Sequence, residues 1–266
     1  MKFLRAITLA ILGFGVATSV PAANQTSYYL FDGDSSRAVV ISNGVVVNTF
    51  ATFSLGYPVA IRESIWLGGR DDEGASEFGL NGVATGNSSS GGNQFSQLLD
   101  GATGSNGKNY GVECCGEVNS VTVADANWGN QAVLFNLRDN RDGAGIAFDK
   151  KNSSFYVSSF DTVIDHYDIS GTILGSFDLG ISLVGLAYEE LTDSFWGWQR
   201  DAQNLVQFDR SGTVLQSTFV AGVEGNPFGG EMRATEGLAT NVPEPGTLAL
   251  IALGLVAVAA SSRRRT

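Results

Sequence analysis

Along most of the chain, apolar residues come in short runs that alternate with polar positions instead of recurring at helical intervals. The runs are separated by Gly, Asn, Asp and Ser, a pattern that predicts many short strands joined by tight turns. Two neighbouring segments repeat one order. The first reads Gly145-Ile146-Ala147-Phe148-Asp149, Ser154-Phe155-Tyr156-Val157, Ile164-Asp165-His166-Tyr167-Asp168, Ser170-Gly171-Thr172-Ile173-Leu174. The second reads Gly185-Leu186-Ala187-Tyr188-Glu189, Ser194-Phe195-Trp196-Gly197, Leu205-Val206-Gln207-Phe208-Asp209, Ser211-Gly212-Thr213-Val214-Leu215. From Gly145 to Gly185 the step is forty residues, and from Gly171 to Gly212 forty-one. Four strands per unit at this spacing predict the blades of an all-β propeller, in which each small sheet buries its faces against its neighbours.

Each part of the unit has a physical reading. The small residues of Gly-Leu-Ala-Tyr suit an inner strand, where blades crowd near the axis, and Phe155, Tyr156, Phe195 and Trp196 supply bulk between blades. Asp168 to Gly171 and Asp209 to Gly212 read as hairpin turns, with Gly at positive φ and the acid or Ser bonding nearby backbone. Weaker copies lie upstream, at Pro58 to Ile61, Ser64 to Leu67 and Phe78 to Val83, and again over residues 111 to 137. In that last copy Ser120 to Val123 and Ala132 to Leu137 are candidate middle strands. Residues 87 to 109, full of Gly, Ser and Asn, read as an insertion or long loop.

The two ends of the repeat region complement each other. Glu236-Gly237-Leu238-Ala239-Thr240 matches a first strand lacking its blade, while Tyr28 to Phe31, Ala38 to Ile41 and Ser42 to Val47 match a blade lacking its first strand. Joining them closes the ring and removes an exposed sheet edge. The count is about five blades, or six if residues 87 to 109 hold another; a β-sandwich is the alternative architecture.

The chain ends carry a different pattern. Lys2 and Arg5, an apolar stretch from Ala6 to Val16 and the small residues Val20 to Ala23 read as a secretory signal peptide over residues 1–23. At the other end stand Pro243-Glu244-Pro245, seventeen uncharged residues from 246 to 262, and Arg263-Arg264-Arg265. As a helix the uncharged stretch covers roughly 25 Å, at the short end of what spans a bilayer core. The arginines supply a positive-inside signal, and the prolines keep the chain extended before the helix. In order, composition and position, residues 242 to 266 resemble the PEP-CTERM sorting signal of Gram-negative bacteria. That resemblance implies export and processing by exosortase, a membrane cysteine protease, with a transient inner-membrane anchor followed by release to the outer surface or an exopolysaccharide-rich matrix. The expected organisation is therefore a signal peptide over 1–23, a propeller over 24–240 and a sorting signal over 241–266. On this division the sorting tail follows the last strand of the ring directly.

Charge narrows the partners. Five of the sixteen basic residues lie in the two ends, which leaves the exported part eleven against twenty-seven acidic ones, a formal charge near −16. Such acidity disfavours nucleic acid and anionic lipid as partners. The single histidine, His166, cannot build a His-based zinc cluster, and neither a Gly-x-Ser-x-Gly elbow nor a Gly-Lys-Ser/Thr loop occurs; His166 reads as a solvent-facing strand residue. The acidic clusters Asp32-Gly33-Asp34, Asp71-Asp72-Glu73 and Asp139 to Gly143 lack EF-hand spacing and read as solvated loops, so neither metal nor cofactor is expected. Cys114 and Cys115 are adjacent and the only thiols. Adjacent Cα atoms stand about 3.8 Å apart, below the usual disulfide range of about 4.4 to 6.8 Å. A vicinal disulfide, two free thiols and intermolecular bridging all remain open, with the first taken as the expectation.

Two functions follow. The favoured one is a noncatalytic surface or matrix propeller associated with exopolysaccharide. The other is a propeller glycoside hydrolase or lyase, which needs two carboxylates converging at about 5 to 9.5 Å, drawn for example from Glu63, Glu113 and Asp149.

Overall fold

The computed structural model describes residues 26–233, apart from 54–55, 70–73, 91–96 and 106. The signal-peptide reading, the sorting tail with its helix, and Asp71 to Glu73 all lie outside the described residues. Twenty strands form five four-stranded antiparallel sheets, so the ring has five blades. The second blade comprises β4 (Gly56–Ile61), β5 (Ile65–Gly69), β6 (Ala75–Phe78) and β7 (Ala84–Ser89). The third comprises β8 (Leu98–Thr103), β9 (Lys108–Glu113), β10 (Ser120–Asp125) and β11 (Ala132–Asn136). The fourth and fifth are the two clear repeats. The fourth contains β12 (Gly143–Asp149), β13 (Ser154–Ser159), β14 (Val163–Asp168) and β15 (Ile173–Asp178); the fifth contains β16 (Val184–Glu189), β17 (Ser194–Gln199), β18 (Asn204–Phe208) and β19 (Val214–Phe219).

The first blade closes the ring. Its strands β1 (Ser27–Asp32), β2 (Arg37–Ser42) and β3 (Val45–Ala51) are contiguous in sequence, and its inner strand is β20 (Gly229–Arg233), paired antiparallel from Ser27↔Arg233 to Phe31↔Gly229. Closure between the chain ends is as expected, but the closing strand lies earlier than Glu236 to Thr240, which falls outside the described residues. The close approach at the axis explains the difference. A Cβ on Gly229 would run into the Tyr57 carbonyl oxygen, and one on Gly230 into the Tyr28 hydroxyl. The inner position thus selects Gly-Gly over the repeat-like Gly-Leu-Ala. A second correction concerns residues 87 to 109: that stretch contains the end of β7, all of the inner strand β8 and the start of β9. Ala132 to Leu137 supplies the outermost strand of its blade, not a middle one.

The blades meet through apolar layers. Tyr110, Phe135, Phe148 and Phe155 pack between the third and fourth, and Tyr156, Leu186, Phe195 and Phe208 between the fourth and fifth. The layer between the second and third is smaller, Ala60, Ala75 and Ala124 around Trp128, whose indole N–H donates to the Trp66 carbonyl at 3.0 Å. Strand alternation defines two faces. One bears the links from each outer strand to the next inner strand, together with the hairpins between second and third strands. The other bears the remaining hairpins and both ends of the described ring, since Ser27 pairs with Arg233.

Candidate functional site

Two features stand out at the axis: a buried polar belt and, above it, an aromatic cap. The belt centres on Asp100 of β8, fully buried. Its Oδ2 accepts the N–H groups of Ile146 on β12 at 2.7 Å and Leu186 on β16 at 2.9 Å, and its Oδ1 accepts that of Gly230 on β20 at 2.8 Å. Glu231 of β20 returns the contact: its Oε2 accepts the Thr103 N–H at 2.6 Å and its Oε1 the Met232 N–H at 3.0 Å. The Thr103 hydroxyl then reaches β4, donating to the Ile61 carbonyl at 3.1 Å and accepting its N–H at 2.7 Å. Asp100, Glu231 and Thr103 therefore tie all five inner strands together. Burial pushes the carboxyls of Asp100 and Glu231 up, while backbone N–H donors pull both back. The Tyr28 hydroxyl donates to the Gly185 carbonyl, and burial beside Asp100 and Glu231 raises its pKa.

Above the belt, on the face opposite the chain ends, Phe228 lies across the mouth of the axis. Tyr57 of the second blade meets it edge-on, with ring centroids 5.7 Å apart, and Phe160 of the fourth blade at 6.0 Å. Arg200 of the fifth blade places its guanidinium 4.5 Å from the Phe228 centroid. Three blades thus converge on one side chain of a fourth. Neither Phe160, Arg200 nor Phe228 belongs to a motif visible in the sequence; the link is that each lies just beyond a strand end on this face.

The residues singled out from sequence go elsewhere. Glu63 is exposed in the β4–β5 turn; Glu113 ends β9, where it accepts the Ser120 hydroxyl; Asp149 ends β12, where it pairs with Arg210. They sit on three blades, with Glu113 on the face opposite Asp149, and share no site. The carboxylates that do converge on the axis are Asp100 and Glu231, and backbone donors occupy both. His166 is half-buried, stacked on Tyr156 at 4.3 Å between centroids with Nε2 2.9 Å from the Ser154 hydroxyl; burial lowers its pKa. Asp32 accepts from the N–H groups of Asp34 and Asn226 and from the Ser35 hydroxyl, and Asp34 accepts from the Tyr57 hydroxyl at 2.5 Å. Asp142 accepts the Cys115 N–H at 3.0 Å and an Asn119 amide N–H at 2.9 Å. These acids organise their own loops. Among the described residues no three His, Cys, Asp or Glu side chains form a metal-holding group. In the turn after β9, the sulfurs of Cys114, buried, and Cys115, exposed, are joined, with Cα atoms 3.8 Å apart.

The architecture defines the class: a closed five-bladed β-propeller. A chain in a crystal structure of a nidogen/laminin complex shares the fold, with a TM-score of 0.51 and 8% identity over 78% of this chain and 98% of that one. Two proteins of unknown function score lower. The one from Bacteroides caccae has a TM-score of 0.49 and 14% identity over 76% of each chain; the one from Bacteroides thetaiotaomicron VPI-5482 has 0.46 and 11% over 71% of this chain and 63% of that one. No curated protein matches the chain. What distinguishes this propeller is its tail: residues 241–265 match the PEP-CTERM protein-sorting motif. The chain is thus an exported protein with a C-terminal sorting signal, and the motif implies processing by exosortase.

Proposed function

We propose that the protein is a noncatalytic binding propeller of the cell envelope, directed to the outer surface or extracellular matrix and associated there with exopolysaccharide. In this reading residues 1–23 are a cleaved signal peptide. Residues 246 to 262 anchor the precursor in the inner membrane, with Arg263, Arg264 and Arg265 in the cytoplasm, and Pro243, Glu244 and Pro245 present the chain to exosortase. The observation that carries the binding role is the geometry of the ring. Both ends of the described ring, Ser27 and Arg233, lie on one face. The opposite face carries the interblade links and the hairpins between second and third strands, the kind of loops on which recognition is built. The internal occupation of Asp100 and Glu231 supports a binding role over hydrolysis, which needs a free acid and base. Residues 234 to 240 lie in sequence between the end of β20 and the matched motif.

Cys114 and Cys115 serve in this proposal as a vicinal disulfide that rigidifies the β9–β10 turn in an oxidising compartment. Mass spectrometry of the unreduced protein will show a chain lighter by about two hydrogens than its reduced form, per bond formed; equal masses would mean free thiols. For sorting, replacing Glu244 by Ala and deleting Arg263 to Arg265 will leave unprocessed precursor in the inner-membrane fraction. Unchanged processing and localisation of that variant would defeat the assignment. For binding, a glycan array probed with the exported protein will give positives among envelope polysaccharides, and a blank array would remove the glycan reading.

A further inference from the structure

The cap over the axis carries a more specific reading, which rests on the glycan-binding function just proposed. Four of the described arginines hold carboxylates: Arg37 pairs with Glu224, Arg138 with Asp165, Arg141 with Asp161 and Arg210 with Asp149. Arg62 donates to Asn109 and to backbone carbonyls. Arg200 and Arg233 have no ion pair among the described residues, and of these two Arg200 is the one at the cap, its guanidinium over Phe228. In a domain this acidic, an arginine held on an aromatic face with its N–H edge unpaired is a pre-oriented anion donor, because stacking fixes the plane while leaving the fork of donors free. Beside it, Phe160 is 40% exposed although its edge packs on Phe228, and it presents an apolar surface to solvent on the same face.

We infer that Arg200, Phe160 and Phe228 form a subsite for a carboxylated sugar unit, a hexuronate residue within a glycan. The sugar's C–H face lies against Phe160, where the negative face of the aromatic ring meets weakly positive hydrogens. Its carboxylate takes two N–H donors from Arg200. Phe228 acts as the floor that holds the other two in place, itself braced by Tyr57. Each inner strand is the end strand of its sheet at the axis, so a peptide carboxylate is the competing ligand that the titration below separates from the sugar. At physiological salt the screening length is about 8 Å. The charges that bear on an anion here are therefore the local ones, Arg200 together with Asp161, Asp201 and the Asp34 that accepts from Tyr57, and not the net charge of the domain.

The test is calorimetric titration of the purified exported protein with a tetrasaccharide of β-linked glucuronate, its neutral β-glucose counterpart and an aspartate-containing tetrapeptide. Titrations are run at low and physiological salt, on wild type, Arg200→Ala, Arg200→Lys and Phe160→Ala, with thermal melts confirming that each variant is folded. The expected result is uronate binding that weakens with salt and exceeds the neutral sugar by about tenfold or more. Arg200→Ala will abolish that preference, and Arg200→Lys will restore only part of it because the fork is lost. Phe160→Ala will weaken both sugars. Equal binding of the two sugars, unchanged affinity in folded Arg200→Ala, or binding of the peptide in place of the sugar overturns the subsite. If the array of the preceding section shows glycans bound while the uronate tetrasaccharide is not, the subsite fails and the broader function stands. If no glycan binds, both fall.

Discussion

A single side chain, Asp100, joins four of the five inner strands: β8, which carries it, and β12, β16 and β20, which donate to it. Three N–H donors converging on two oxygens require an acceptor-only group, so Asp100→Asn, nearly identical in shape, turns one acceptor into a donor aimed at a backbone N–H. We expect a loss of about 2–4 kcal/mol, from the lost charge-assisted bonds and an unsatisfied buried donor, read as a lower urea midpoint with an unchanged slope. An unaltered midpoint would show that the belt does not hold the ring. Asp149 makes a pH prediction. Burial pushes its carboxyl up, but the Arg210 hydrogen bond and charge outweigh burial and hold it below its ordinary 3.8. Its contribution is therefore present above the unfolded value and lost as pH falls through the folded one. Between about pH 5 and pH 2 the wild type will lose more stability than Arg210→Ala, which is already weakened at neutral pH. Parallel pH profiles would rule this coupling out.

The third-to-fourth-strand hairpins do more than turn the chain. In the fourth and fifth blades the Asp168 and Asp209 carboxylates each accept from a Ser hydroxyl and from Ser and Thr N–H groups, and Gly171 and Gly212 take φ of 86° and 84°. Each of those glycines also rests on the outer strand of the preceding blade, Gly171 on Phe135 and Gly212 on Phe177, as Gly82 rests on Phe50. Gly212→Ala therefore meets both a left-handed backbone and a phenyl ring, and we expect a loss of about 2–4 kcal/mol; Phe177→Ala in the same background should recover part of it. The third blade departs from the pattern. Its hairpin inserts Trp128, at φ 62°, into the small layer against the second blade, and Trp128→Ala will cost about 3–5 kcal/mol, measured by denaturant unfolding. A smaller loss would mean that the layer collapses around the gap.

For the molecule as a whole, the ring stands or falls with β20. Deleting residues 229 to 233 while retaining the tail removes the partner of β1, one donor to Asp100 and the carboxylate of Glu231 together. The expected outcome is loss of cooperative thermal unfolding and rapid proteolysis, since an open five-blade ring exposes two interblade faces and a sheet edge. The same closure brings both ends of the described ring, Ser27 and Arg233, to one face and leaves the Phe228 cap on the other.

The division between what the chain spells out and what folding decides runs along the range of the interactions. Local periodicity and turn chemistry made the repeat legible. The alternation from Gly145 to Leu174 and from Gly185 to Leu215 needs only neighbours within a blade, and so do the Asp-x-Ser-Gly turns. The sorting tail was legible for a similar reason, because it is read as a linear segment. The inner strands β8 and β20 were misplaced because their residues are chosen by strands distant in sequence. Leu98 to Thr103 carries a buried acid whose partners lie on three other blades, and Gly229 to Arg233 carries glycines required by Tyr57 and Tyr28. Arg200, Phe160 and Phe228 belong to three different blades, and no sequence window contains them together. The sequence by itself determined the blade, its turns and the route of export. Closure, the belt at the axis and the candidate subsite were decided by tertiary structure, because only the closed ring brings their residues within hydrogen-bonding and ring-contact distance.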